Sequence, residues 1–494
     1  MRLLRLVLLL PVLAAVGFGC DLGNLKRMQD HTLNRIGYGP DPWSRQRIKD
    51  LGITNYIEEQ LNPSTLDDSA LEAEIASLYP VETMSYATSR QTYNEYTGNP
   101  DVGPGTPIRD ASRAKILRVV KSKKQLEQVL VDFWYNHFNV DSGIEEARWG
   151  FLTLERDAIR PHVLGKFEDM LRAVARNPGM LDYLDNSLNF KDGFVYLNFV
   201  RGINENYARE ILELHTLGVD GGYTQADIRE VARAFTGWTI PTTVTFFPTG
   251  YQFLSQGHDR NAKSMFGGAL QLPASRGEQD GLDVIHYLAM QPQTAERIAK
   301  KLCQRFISED APPPAVIAAA KQTFLDTGGD LREVMRTILN SAEFRGLDYA
   351  NKKIKRPLVF LASLARMAGI TNDADFAANM DGYLQQMGEG LYRQGPPTGY
   401  PESSKFWSGE GPFLVRVKLA YLATHGEASF DGNFTVTDTS ATTVVDQLRA
   451  LILRNGIEPS TRQALIDLAN GLPAPARVDE VAATMFVSPD FLVH

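Results

Sequence analysis

The chain is poor in cysteine, in positive charge and in long apolar runs, and these shortages narrow its possible roles. Its 494 residues include two cysteines, Cys20 and Cys303. The 59 acidic residues outnumber the 51 basic ones, which argues against nucleic acid as a partner because nucleic-acid-binding surfaces are basic. No apolar run after residue 20 reaches the roughly 20 residues that a membrane-spanning helix needs.

Several familiar catalytic motifs are also missing. The sequence contains no glycine-rich phosphate loop, no His-Glu-x-x-His, no Gly-x-Ser-x-Gly and no Cys-x-x-Cys-His. Nucleotide-binding proteins, zinc metalloproteases, serine hydrolases and c-type cytochromes therefore have no motif support. The sequence alone predicts no particular reaction.

The N-terminus has the layout of a bacterial export signal. Two arginines in the first five residues precede an apolar stretch over 6–16, and small residues then lead to Cys20. This predicts a signal peptide over 1–19. A cysteine in this place resembles the acylation site of bacterial lipoproteins, so we expect lipidation of Cys20 and a membrane anchor in the cell envelope. Ordinary cleavage, giving a freely secreted protein, is the alternative, and the periplasmic or surface side stays open.

The periodicity of apolar residues predicts a mainly α, multi-helical protein. We expect one family domain over 20–494, with a possible sub-boundary near 346–355, and a small β-hairpin and loop insertion around 242–268. The hairpin itself is predicted within 242–253, where β-branched and aromatic residues flank a Pro-Thr-Gly turn. Cys303, in a helical pattern, is expected to pack as a small hydrophobic residue. Predicted helices include 112–139, 150–176, 204–218 and 224–236.

The densest group of polar residues lies in the predicted helix at 204–218. At about 100° per residue, Glu205, Asn206, Arg209 and Glu210 share one face. One interpretation places Glu210 and Asn206 in a cleft as ligands or acid–base groups. The other is a solvated face on which Glu205 and Arg209 form an i,i+4 ion pair.

Two further segments contain histidine beside other polar residues. His137 lies among aromatic and asparagine side chains near a predicted helix end, where it binds a metal or packs against the helix terminus. His258 and Asp259 form a pair in a glycine-flanked loop, which suits a metal site, a general base or a simple turn. A fourth segment, 395–407, contains two aromatic candidates, Tyr400 and Trp407. They line a pocket or a carbohydrate platform, or they serve as a structural plug.

The quoted segments together resemble a bacterial family, domain of unknown function 1800. The resemblance is carried by NENYAREILELHTLGVDGGYT and DIREVARAFTGW, and in chain order by HTLNRIGYG, FWYNHF, GKFEDMLRAVARNPGMLDYLDN (165–186), the His-Asp pair with Lys263 and Gly267 (258–267), NSAEF and PPTGYP. It covers roughly residues 28–425. The family more often has an aromatic residue where His215 stands, and Gly-Trp where this chain has Gly399-Tyr400. The polar family-motif positions are His31, Asn34, Arg35, His137, Asn204, Glu205, Asn206, Arg209, Glu210, His258 and Asp259.

The resemblance implies an exported, helical protein whose biochemical role is not established. Genes of this family commonly lie beside genes for exported sulfatase- or phosphatase-like proteins. Two hypotheses follow. In the first, the protein is a hydrolase acting on an envelope glycan or ester, with Glu210, His137, His258 and Asp259 converging in one cleft, with or without a divalent metal. In the second, it is a non-catalytic scaffold lipoprotein that presents such an exported partner, and the polar helix fixes the fold.

Overall fold

A computed structural model describes residues 22–94, 102–144, 146–241, 250–453 and 456–494. These segments are mainly α-helical, which confirms the predicted fold class. The predicted signal peptide, Cys20 and residues 242–249 of the predicted hairpin lie outside them. Within the described segments, no helix is both long enough and apolar enough to cross a membrane.

The helices of the described segments are numbered in chain order. In the first part of the chain they are α1 (Leu22–Arg35), α2 (Pro42–Leu61), α3 (Ser69–Leu78), α4 (Tyr86–Tyr93), α5 (Thr106–Lys121), α6 (Gln125–His137), α7 (Ala147–Thr153), α8 (Phe167–Ala175) and α9 (Pro178–Tyr183). The middle contains α10 (Asn206–Glu210), α11 (Gln225–Ala234), α12 (Gln279–Ala289), α13 (Pro292–Phe306), α14 (Pro314–Asp326), α15 (Leu331–Leu339) and α16 (Ala342–Arg345). The last part contains α17 (Pro357–Ala368), α18 (Asp373–Gln386), α19 (Glu410–Thr424), α20 (Ala441–Ile452), α21 (Pro459–Gly471), α22 (Arg477–Phe486) and α23 (Pro489–Leu492).

Local sequence signals start and stop several of these helices. The Thr224 side chain accepts a hydrogen bond from the Asp227 amide, and the Asp227 carboxylate accepts one from the Thr224 amide, so α11 begins with the predicted capping box. Asn204 accepts from the amide of Asn206 (2.9 Å) at the start of α10. A π-helical turn, Ile211–His215, continues α10, and Gly218 then ends the segment at φ +91°.

Three short antiparallel strand pairs lie within the described segments. They are β1 (Phe194–Tyr196) with β2 (Phe199–Arg201), β3 (Trp238–Thr239) with β4 (Gln252–Phe253), and β5 (Lys263–Met265) with β6 (Leu270–Leu272). The second and third pairs form the predicted small β region around 242–268. The first pair turns through Leu197 and Asn198 at positive φ and was not predicted.

The described helices share one continuous apolar core. It extends from Leu33 in α1 to Phe491 in α23, and it includes Cys303, which is buried as predicted. Burial raises the pKa of the Cys303 thiol to about 12. The last residues of the chain run antiparallel to residues 353–355, where the amide of Lys355 donates to the carbonyl of Leu492 (2.8 Å). The sub-boundary near 346–355 stays a prediction.

Candidate functional site

The C-terminal end of α6 is buried on every side and carries the predicted His137. Its Nδ1 accepts a hydrogen bond from the ammonium of Lys301 (2.9 Å), because an ammonium can only donate. Nε2 therefore carries the proton and donates to the carbonyl of His215 (3.1 Å). Burial, together with the charge of Lys301, holds the pKa of His137 well below its usual value. His137 is a neutral ring with both nitrogens engaged.

Asn136 fixes the proline-rich loop against α6. Its Nδ2 donates to the carbonyl of Tyr400 (2.9 Å) and its Oδ1 accepts from the Tyr400 amide (2.6 Å). Gly399 passes this point at φ +71°, and a Cβ there would lie 2.3 Å from the carbonyl oxygen of Asn136. Only glycine fits such a position. Asn139 donates to two further carbonyls of the loop (2.7 and 3.0 Å). The side-chain amides of Asn136 and Asn139 therefore hold the loop against the end of α6.

Tyr400 and Trp407, the two aromatic residues predicted to bind substrate, belong to this proline-rich loop. Trp407 is 1% exposed, and its ring centroid lies 5.6 Å from that of Tyr400. The Tyr400 hydroxyl donates to the carbonyl of Gly390 (2.9 Å). The guanidinium of Arg356 lies 5.9 Å from the Trp407 ring. This packing favours the structural plug over a carbohydrate platform.

Beneath the loop lies a buried ionic cluster that no sequence motif indicated. The Lys115 ammonium is 3.0 Å from Glu155 and 3.5 Å from Asp132. Arg356 contacts Asp132 (3.5 Å) and also pairs with Glu389. Burial alone would raise the pKa of Asp132, but Arg356 and Lys115 outweigh it and the pKa falls below its usual value. The opposite charges of this cluster therefore offset one another's cost of burial.

His258 and Asp259 lie in a second internal network. His258 is 1% exposed; its Nδ1 lies 2.8 Å from the carbonyl of Thr236 and its Nε2 lies 3.2 Å from the carboxylate of Asp280. The Asp259 carboxylate instead pairs with Arg233 (2.8 Å). None of the contacts of this pair reaches His137 or Glu210, so the structure does not join the predicted catalytic groups into one constellation.

The polar face of α10 is half-buried, and hydrogen bonds connect several of its side chains to neighbouring segments. Glu205 accepts from the side-chain amide of Gln225 (2.6 Å), and Arg209 donates to the same side chain (3.1 Å). Asn206 donates to the carboxylate of Asp185 (3.1 Å), which places α10 against the turn after α9. Among the described residues, Glu210 has no hydrogen-bonding or ion-pair partner. Burial and the charge of a neighbouring glutamate raise its pKa.

The last turn of α9 carries Asp182, which the sequence analysis did not single out. Asp182 lines a pocket of about 130 Å³ together with Tyr86, Glu146, Ser187 and Tyr196. Burial, and next the negative charge of Glu146, raise its pKa from 3.8 to about 6.

The Glu146 carboxylate on the wall of this pocket is fixed by two neighbours. Arg90 binds it through two bonds of 2.6 and 2.7 Å. The hydroxyl of Tyr86 donates to it at 3.3 Å. The negative charge that raises the pKa of Asp182 is therefore held in place.

Two glycines allow the pocket to form. A Cβ on Gly150 in α7 would lie 2.2 Å from the amide nitrogen of Gly179 in α9, so the two helices cross with their backbones in contact. Glu146 precedes α7 and Asp182 lies near the end of α9. The close crossing therefore brings these two carboxylates from distant parts of the chain into one pocket.

The described side chains offer no obvious metal centre. No group of three or more histidine, cysteine, aspartate or glutamate side chains in the described ranges is arranged to hold a metal ion. The divalent metal that the sequence left open therefore has no ligand set in this part of the chain.

A family model described as a protein of unknown function (DUF1800) matches residues 31–493. The chain belongs to this family. No curated protein and no solved structure matches the chain.

The polar motif positions at the start of this DUF1800 protein serve its fold. His31 lies with Nε2 3.1 Å from the carbonyl of Phe344, and Arg35 donates to the carbonyl of Tyr349 (2.8 Å). Burial lowers the pKa of His31 to about 3. These contacts bind α1 to α16 and to the segment that follows it. In this DUF1800 protein, the pKa is raised at two acidic groups, Asp182 in α9 and Glu210 in α10. The sequence analysis named only Glu210 as a candidate site residue.

Proposed function

We propose that this DUF1800 protein is a hydrolase of the cell envelope that acts on a glycan or an ester by carboxylate acid–base chemistry. The observation that carries the proposal is Asp182, a carboxyl with a pKa of about 6 in a pocket. A general acid is most effective when its pKa lies near the working pH. Export, and anchoring through Cys20, are part of the same proposal and rest on the N-terminal sequence.

The residues around Asp182 have separate roles in this proposal. Glu146, held by Arg90, is a positioning residue, because its negative charge, next after burial, raises the pKa of Asp182 to about 6 and so keeps the carboxyl protonated in mildly acidic solution. The hydroxyls of Tyr86, Ser187 and Tyr196 line the pocket, which is large enough for one small group of a substrate. Protonated Asp182 donates its proton to the leaving oxygen as the bond breaks.

Glu210 is the proposed second carboxylate, which takes the proton from the attacking water. It lies near enough to Tyr183, the residue after Asp182, to contribute to the raised pKa of that hydroxyl, behind burial and the charge of Asp141. No cation pairs with Glu210 among the described residues, so its carboxylate is available to a substrate. Its half-buried position fits the wall of a cleft.

The test uses chromogenic glycosides, chromogenic esters and cell-wall polysaccharide fragments at pH 5–8. We expect Asp182→Asn to lower kcat by about 10²–10⁴-fold on any substrate that turns over. Glu210→Gln should lower it similarly, and kcat/KM should fall as the pH rises above about 6, since the acid is then ionised. Asp169→Asn, at an exposed carboxylate on α8 that does not line the pocket, is the matched control. Full activity of the Asp182 variant would refute the assignment.

A scaffold that presents an exported sulfatase- or phosphatase-like partner is the second candidate. The hydrogen bonds and ion pair that Asn136, His137, His258 and Asp259 form within the protein favour this candidate. Side chains engaged in this way are not available to act on a substrate. The scaffold predicts that Glu210→Ala lowers the melting temperature substantially, whereas the hydrolase predicts little change because Glu210 has no partner in the described segments. Turnover of no substrate, together with capture of the partner by the intact protein, would favour the scaffold.

A further inference from the structure

The C-terminal region contains an apolar groove that shares no lining residue with the pocket of Asp182. Its volume is about 530 Å³, within the roughly 300–1,000 Å³ of ligand pockets. Ile354, Phe413, Leu414, Leu492 and Val493 supply most of its walls. Phe413 is 40% exposed and Leu414 is 67% exposed, although both belong to a well-packed helix, α19. The groove thus presents apolar side chains to solvent.

One buried cation, Arg416, lines the same groove. Its side chain is 2% exposed, and it donates one hydrogen bond from Nη2 to the carbonyl of Lys355 (2.9 Å). Its Nε is buried without a partner, and no carboxylate within the described segments forms an ion pair with it. Arg356, sixty residues earlier, is equally buried but contacts two carboxylates. Arg416 therefore has no direct ion-pair partner in the described segments, although the Phe360 ring lies 5.5 Å from its guanidinium and the charge of Glu389 offsets part of the cost of its burial.

Lys355, whose carbonyl accepts the hydrogen bond from Arg416, is a second buried basic group. It is 3% exposed, its ammonium lies 3.8 Å from the ring centroid of Phe491, and it too has no ion pair in the described part of the chain. Burial, and next the charge of Arg416, lower the pKa of Lys355 to about 7. Burying a charge without a counter-charge is strongly unfavourable. An anion at Arg416 would relieve this cost.

We propose that the groove binds a single anionic amphiphile, with its carboxylate or phosphate head on Arg416 and its hydrocarbon chain along Phe413, Leu414 and Leu492. Charge complementarity and the apolar walls both favour this ligand class. Glu410 also lines the groove, but it is exposed, so water and salt screen its charge. The inference is independent of the proposed hydrolysis.

Binding is measured by titration calorimetry on the Cys20→Ser protein, in which no acyl chain can be attached at residue 20. The ligands are octanoate, decanoate, decyl phosphate and 1-decanol, all as monomers. Saturable one-to-one binding of an anion is expected, with 1-decanol weaker by about tenfold or more because it lacks the charge-assisted hydrogen bond. From octanoate to decanoate, affinity should rise by up to about fourfold per methylene. Equal affinity for decanoate and 1-decanol would overturn the role of Arg416.

Two substitutions on α19 separate the groove from the rest of the helix. Leu414→Asp places a charge in the groove at an exposed position and should weaken decanoate binding by about tenfold or more. Val417→Asp, also exposed on α19 but outside the groove, should leave binding unchanged. Arg416→Met should abolish the preference for the anion while 1-decanol still binds. Equal effects of the two aspartates would overturn the proposal.

The two sources of such a ligand, free amphiphile and membrane lipid, are distinguished by a third experiment. Sedimentation with phosphatidylglycerol vesicles is compared in the absence and presence of decanoate. Binding of monomeric decanoate that prevents vesicle binding supports one groove serving both. Vesicle binding without any binding of monomeric decanoate or decyl phosphate would overturn the single-molecule site in favour of an apolar contact with the membrane surface.

Discussion

Replacing Asp182 by asparagine should change how stability depends on pH. In the folded protein the pKa of Asp182 is about 6, against 3.8 for the free side chain. Well below pH 3.8 both states are protonated, so the group contributes nothing. As the pH rises through this interval the unfolded state releases its proton first, and the folded state loses stability. A pKa higher by about 2 corresponds to roughly 3 kcal/mol of lost stability above pH about 6.

Asparagine cannot ionise, so the Asp182→Asn protein escapes this loss. The carboxylate also accepts backbone hydrogen bonds from Glu146 and Ala147, and asparagine has one acceptor oxygen fewer. One lost bond offsets about 1 kcal/mol, which leaves a net gain of about 1–2 kcal/mol at pH 7. For a protein of this length that is about 1–2 °C in Tm.

Scanning calorimetry from pH 4 to pH 8 tests this expectation. The gap in Tm between the Asp182→Asn and unmodified proteins should open between pH 4 and 6 and then stay constant. Asp169→Asn, at an exposed carboxylate on α8 that does not line the pocket, should show no such change. A gap that is the same at every pH would show that Asp182 titrates normally, and the argument for a general acid would fail with it.

Two further substitutions test the structural networks. Gly399→Ala should lower the free energy of unfolding by about 2–4 kcal/mol, because its Cβ would meet the Asn136 carbonyl at 2.3 Å, whereas Gly411→Ala, in open space on α19, should be neutral or stabilising in the same thermal melts. Lys263→Met should cost about 3–5 kcal/mol at pH 7, because Asp280 loses the ammonium 2.7 Å away. That cost should shrink on acidification as Asp280 becomes protonated, and a cost independent of pH would contradict the ion pair.

The helical class could be predicted from periodicity, but helix ends set by distant contacts could not. The pattern over 112–139 predicted one helix, and the structure breaks it between α5 and α6. Asp68 accepts from the Ser122 hydroxyl (2.6 Å) and from the Lys123 amide (3.0 Å) at the break. The residue that interrupts the helix is more than fifty positions away, so no local signal reveals it. The capping box at Thr224 is local and was predicted correctly.

The candidate site shows the same division between local and distant causes. Sequence patterns located His137 and Glu210, but they could not show that His137 is saturated by Lys301, 164 residues away. Asp182 was missed because its raised pKa depends on burial and on Glu146. A cue was present, since Asp182 belongs to a stretch that resembles the family, but its surroundings come from tertiary structure.

The buried charges of this protein fall into two classes. Asp132 and Glu155 lie among cations, and folding alone accounts for them. Arg416 and Asp182 are different, because burial favours the neutral form of each side chain. It lowers the pKa of Arg416 to about 10 and raises the pKa of Asp182 to about 6. A neutral side chain of similar size would make the fold more stable at either position. Stability therefore does not explain these two charges, whereas a ligand that pairs with Arg416 and a proton transfer at Asp182 do.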